Sequence, residues 1–145
     1  MTAPRSAVTE AGCRVVHVEE LDDGLPLDLA TITGTIAEAL RPVPVGARLD
    51  TEALELTAGL LVGHVQLVLP LAAFAHRRRR PDARKPGLVG YGLAYMRNRM
   101  KYKPPSPQTH PQDALAWCQE TARGLQQLLG VALADDRERQ HAAAR

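Results

Sequence analysis

His64 is the residue best placed for chemistry by its type and surroundings. It stands inside the apolar run Leu60–Pro70 (LLVGHVQLVLP), where one neighbour would set its proton affinity and its hydrogen bond. Acting as a base or ligand, it needs a second polar group, and Cys118 or Glu120 further along the chain could supply one. The plainer alternative is a core histidine bonded to a backbone carbonyl. A haem on His64 would require an apolar cavity beside it, which no pattern in the chain demands. The histidines at 17, 64, 76, 110 and 141 show neither i,i+4 spacing nor a CxxC companion, so no metal and no cofactor is expected. Ser6 and Ser106 are the only serines, and neither sits in a nucleophile elbow. The acid pairs Asp22/Asp23 and Asp135/Asp136 fall in terminal segments, where preorganisation is hard. The balance leans away from an enzyme, and no catalytic residue is named.

The second chemical feature is cationic. Arg77, Arg78, Arg79 and Arg80 follow the apolar run, and Arg97, Arg99, Lys101 and Lys103 come a little later. Residues 76–103 hold ten Lys/Arg against one acid, Asp82, a local charge of +9; the rest of the chain, with eight Lys/Arg and fifteen acids, carries −7, giving the net +2. If the third helix folded back beside the second, Arg97, Arg99 and Lys101 would extend the Arg77–Arg80 cluster into one anion-binding surface. Tyr95 and Tyr102 would add rings on which exposed bases stack. No helix-turn-helix spacing accompanies them. A solvated basic face neutralised by the acidic cluster Glu19–Asp23 is the simpler reading.

These residues must be held by helices. The first helix starts near Pro26–Asp28, with Asp28 as cap and Leu29, Ile32, Ile36 and Leu40 at helical spacing, and it stops before Pro42. Asp50 or Thr51 caps the second, which runs to about Arg79 with Pro70 inside. Leu56–Ala75 has fourteen apolar residues in twenty. At 100° per residue Leu56, Leu60, Leu67, Leu71 and Phe74 share a sector of about 60°, and Leu61, Val65, Val68 and Ala72 extend it. The expectation is a buried central helix with Leu60, Leu67, Leu71 and Phe74 against Leu125, Leu129 and the first helix. A third helix covers Leu88–Tyr102, with Leu88, Tyr91, Tyr95, Met96 and Met100 as its apolar stripe. A Pro-rich linker leads to a fourth from Pro111, with Leu115, Cys118, Ala122, Leu125 and Leu129 on one face and Gly130 as its stop.

The same apolar run is about 30 Å long as a helix, enough to span a bilayer. His64, Gln66 and the Gln66 carbonyl freed by Pro70 argue against a span, so no membrane is expected. The composition, 45% apolar but only 3% aromatic, suits helical packing, and two distant cysteines suit a reducing cytoplasm. The fold class is therefore all-α: a small three- to four-helix bundle with a long buried second helix. Residues 1–25 form a flexible N-terminal arm in which Arg14–Val18 could make a short strand. Residues 26–133 are the helical bundle domain, and 134–145 a disordered tail. Gly59 and Gly63, four apart, permit close approach of a second copy, which points to a homodimer through the second helix.

Three blocks carry a resemblance: LLVGHVQLVLP at 60–70, YGLAYMRNRM at 91–100 and ALAWCQETARGLQQLL at 114–129. They resemble successive blocks of an actinobacterial family of unknown function, labelled natural product biosynthesis proteins. Its members are small, all-helical and cytoplasmic, with a Gly-His pair in a Leu-rich helix, here Gly63–His64, and a following proline, here Pro70. In similar proteins the stretch after that proline is acidic and polar, whereas here it reads Leu71–Phe74 and then His76–Arg80. The resemblance spans about residues 28–130 and implies a place in specialised metabolism without implying a chemistry. Together the readings point to a non-catalytic helical accessory protein that binds a protein partner or a small anionic ligand. A nucleic-acid-associated regulator using residues 77–103 is the first alternative. A small helical enzyme or ligand-binding protein using His64 is the second.

Overall fold

The computed structural model describes residues 27–79 and 87–144. These form four helices: α1 (Leu29–Ala39), α2 (Thr51–Arg79), α3 (Leu88–Arg99) and α4 (Pro111–Ala143), with no strand among the described residues. The protein is an all-α bundle, as its periodicity predicts. The arm, the acidic cluster Glu19–Asp23, the Arg14–Val18 segment and Arg80 lie outside the described residues.

Local chemistry sets the boundaries. Asp28 caps α1 by accepting the Thr31 amide at 3.2 Å, and the chain leaves the helix before Pro42. Asp50 Oδ1 accepts the Ala53 amide at 3.1 Å and opens α2. Gly46, at φ +81°, turns the connector between them. Pro111 occupies the first turn of α4, where its missing N–H costs nothing.

Successive helices run in opposite directions, so α2 and α4 are parallel. Their register is marked at one end by the Cys118 thiol, 3.9 Å from the Leu54 carbonyl, and at the other by Arg78, 3.3 Å from Asp135. These two long helices pack against each other as the spine of the bundle, and the short α1 and α3 each touch both of them. One core cluster joins Leu61, Val65, Val68 and Ala72 of α2 to Cys118, Ala122, Leu125 and Leu129 of α4, with Ile32 and Ile36 of α1 and Leu93 and Met96 of α3. Each large side chain buried there contributes about 1.5–3 kcal/mol by leaving water.

Three expectations are corrected. First, α2 is rotated: Leu60, Leu67 and Phe74, expected in the core, are 41%, 59% and 46% exposed, and Leu56 is 66% exposed, while Leu61 and Val65 are at 0%. A helix apolar nearly all round carries no periodicity that fixes its rotation. Its three neighbours cover the side that bears Ala58, Leu61, Val65, Val68 and Ala72 and leave Leu56, Leu60 and Leu67 largely outside. Second, α3 ends at Arg99 and buries Leu93 and Met96, leaving Leu88, Tyr91 and Tyr95 exposed. Gly124 makes this contact possible, because a Cβ at that position would overlap the Met96 sulfur. Third, α4 does not stop at Gly130, and residues 134–143 are helical rather than a loose tail. Ala132 and Asp135 are buried, and Asp135 is held by Arg78 of α2 and by Arg139 one turn on, each at 3.3 Å. Arg79 and Glu138 make a second cross-helix pair.

Candidate functional site

The fold distributes the candidate residues over three separate places. His64 lies on the seam between α1 and α2. Its partner is neither Cys118 nor Glu120 but Thr35 of α1, with Oγ1 3.0 Å from Nε2. Thr35 also donates its hydroxyl proton to the Thr31 carbonyl at 3.0 Å, which leaves its oxygen to accept from His64 Nε2–H. Burial lowers the pKa of His64, and the nearby Asp28 carboxylate partly opposes that shift. The imidazole is half-buried, favoured in its neutral form, and tied to a threonine that joins α1 to α2. Among the described residues, the polar groups acting on it are the Thr35 hydroxyl and the Asp28 carboxylate, which also caps α1. No group of three metal-ligating side chains exists among the described residues.

The second place is the C-terminal end of α2. Arg78 and Arg79 are committed to Asp135 and Glu138 of α4. Arg77 is exposed and makes no ion pair among the described residues. The third place is the C-terminal end of α3. Here Arg99 is largely enclosed: its guanidinium donates to Thr121 Oγ1 at 2.8 Å and the Trp117 carbonyl at 3.2 Å, and meets Glu120 at 3.3 Å. It sits over the rings of Tyr95 and Trp117 at 5.5 and 5.3 Å. That is a structural clamp between α3 and α4. Arg97 and Lys101 remain exposed nearby.

α3 does fold back beside the spine, but antiparallel to α4, and this direction separates the two cationic clusters. Arg99 is level with Thr121 and Arg78 with Asp135, so fourteen residues of α4, about 21 Å, lie between them. The described arginines thus form two patches, each partly neutralised, rather than one continuous surface.

Cys118 is buried, and burial pushes its thiol up to about 11. It borders a cleft of about 290 Å³ beneath the α1–α2 connector, lined also by Arg41, Pro44, Arg48, Leu54 and Leu115. The thiol is neither activated nor paired with a base.

The feature missed by sequence reasoning is the outer face of α2. Leu56, Leu60, Gly63, Leu67, Pro70 and Phe74 are all exposed and recur at alternating spacings of four and three. No charged residue interrupts them over about 27 Å of helix. The spacing was legible, but it reads equally well as a core stripe. The helix is also long and apolar enough to cross a membrane, a property shared by the core helices of soluble proteins. The chain matches no protein-family model, no curated protein and no solved structure.

Proposed function

We propose that this chain is a non-catalytic, cytoplasmic helical accessory protein whose working surface is the outer face of α2, where it binds protein. The observation that carries the reading is the uncharged stripe from Leu56 to Phe74, left in solvent on a helix whose opposite side, with Leu61, Val65, Val68 and Ala72, is buried. Contiguous apolar surface of this kind marks an interaction site more often than a neutral exterior. The polar residues support the same reading from the other side. His64, Arg78, Arg79 and Arg99 are each occupied by an internal partner. Arg77, Arg97, Lys101 and Lys103 are left as exposed cations among the described residues of segment 77–103, Arg77 at a different end of the bundle from the other three. The resemblance of its helical blocks to natural product biosynthesis proteins gives the proposed setting, an actinobacterial specialised-metabolism pathway.

The test is genetic and structural together. A Leu60→Glu/Leu67→Glu variant, checked for native helicity by circular dichroism, should abolish the chain's contribution to the host's specialised-metabolite profile. His64→Gln and Arg97→Ala/Lys101→Ala should leave the profile intact. The opposite pattern removes the interaction reading in favour of a ligand or nucleic-acid site.

A further inference from the structure

We propose that the occupant of the outer face of α2 is a second copy of the chain, packed antiparallel about a twofold axis near Val65. This rests on the reading of that face as a protein-binding surface. Leu56, Leu60, Gly63, Leu67, Pro70 and Phe74 alternate four and three apart, the seam spacing of a two-helix coiled coil. Two copies placed head to tail with that axis set Leu56 opposite Phe74, Leu60 opposite Pro70 and Gly63 opposite Leu67. Each layer then pairs a large side chain with a complementary one, and the central leucines meet glycines. Gly63 has open space where its Cβ would stand, as does Gly59, so neither glycine is required by packing within one chain.

Charge sets the direction. Glu52 and Arg77 stand just beyond the two ends of the stripe, are exposed, and make no ion pair among the described residues. In the antiparallel arrangement Glu52 of each copy comes within a turn of Arg77 of the other, giving two symmetric pairs. In a parallel arrangement glutamate would face glutamate and arginine would face arginine. Closed twofold pairing also removes the whole stripe from water at once, because both partners contribute the same face.

Light scattering on the full chain at micromolar concentration should give twice 15.7 kDa. Gly63→Leu, whose Cβ meets no atom of its own chain, should return the mass to that of a monomer with helicity unchanged. Direction is read by disulfide trapping in a Cys13→Ser background: a mixture of Glu52→Cys and Arg77→Cys proteins should give predominantly the mixed disulfide. Homodimeric disulfides alone, or a monomer at every concentration, overturn the proposal. So does a monomer that binds anionic phosphatidylglycerol vesicles, which would assign the stripe to a lipid surface. A monomeric wild type whose Leu60→Glu/Leu67→Glu variant still loses pathway function would discard the dimer while leaving the protein-binding reading standing.

Discussion

The inner and outer faces of α2 are both apolar, yet they are built differently. The inner face presents Ala58, Leu61, Val65, Val68 and Ala72, mostly small or β-branched side chains. The outer face presents Leu56, Leu60, Leu67 and Phe74, which are larger and more flexible. A parallel spine with α4 must bring two long helices close along their whole length, and small residues permit that approach. The bulkier side chains lie outside this close approach and remain 41% to 66% exposed. Hydrophobicity alone therefore does not say which residues of this helix meet α4; small and β-branched side chains, with Leu61, fill the close approach, and Leu56, Leu60, Leu67 and Phe74 stay outside it.

The largest effect should come from exchanging equivalent truncations across this helix. Leu61→Ala opens a cavity in the spine and should cost about 2–5 kcal/mol in a denaturant titration. Leu67→Ala, measured at dilutions where the chain is monomeric, should cost under about 0.5 kcal/mol, as for a surface change. Equal costs would mean that the two faces are not distinct.

Next comes the clamp between α3 and α4. Arg99→Lys keeps the charge but loses the planar fork that reaches Thr121, the Trp117 carbonyl and Glu120 together. Thr121 is fully buried, so its hydroxyl would lose a partner it cannot replace with water. A loss of about 1–3 kcal/mol is expected by thermal or chemical denaturation, with no change at the α2 outer face.

The glycines sharpen the comparison further. Gly124→Ala forces the buried Met96 to move, costing about 1–3 kcal/mol of overpacking against about 1 kcal/mol of helix propensity gained. The net should be a small destabilisation. Gly63→Ala meets nothing and should stabilise the diluted monomer by up to about 1 kcal/mol. Opposite signs at two helical glycines would separate an internally packed face from an open one. Like signs would erase that difference.

Much of the fold was legible because it was written locally. Asp28, Asp50, Pro42 and Pro111 fix the helix ends through groups within a few residues of themselves, and the structure places the ends where these residues put them. The rotation of α2 was not legible, because a nearly uniform apolar surface has no preferred direction until its neighbours are known. The C-terminal half of α4 was misread for a related reason. Asp135 and Glu138 look like tail residues until Arg78 and Arg79, more than fifty positions earlier, are seen beside them. The two cationic clusters were visible in sequence, but the antiparallel direction of α3 that separates them was not.

The smallest expected effect is the pH response of the α1–α2 seam. Burial holds the folded-state pKa of His64 below its ordinary 6.5. Above pH 6.5 both the folded and unfolded chains keep this imidazole neutral, and it contributes no slope. As pH falls through 6.5 the unfolded chain takes the proton first, so stability declines until the folded-state pKa is passed as well. The difference between wild type and His64→Gln in denaturation midpoint should therefore shift against the wild type between neutral pH and pH 5. Asp28 provides the internal control. Its carboxylate favours the protonated imidazole, and it also caps α1 through the Thr31 amide. Asp28→Asn keeps an oxygen for the Thr31 amide, removes the charge, and turns the Thr31 hydroxyl from donor to acceptor at the second side-chain atom. The variant should be close to wild type at neutral pH and fall away more steeply on acidification. An acid slope unchanged by Asp28→Asn would mean that solvent, and not this carboxylate, governs the seam.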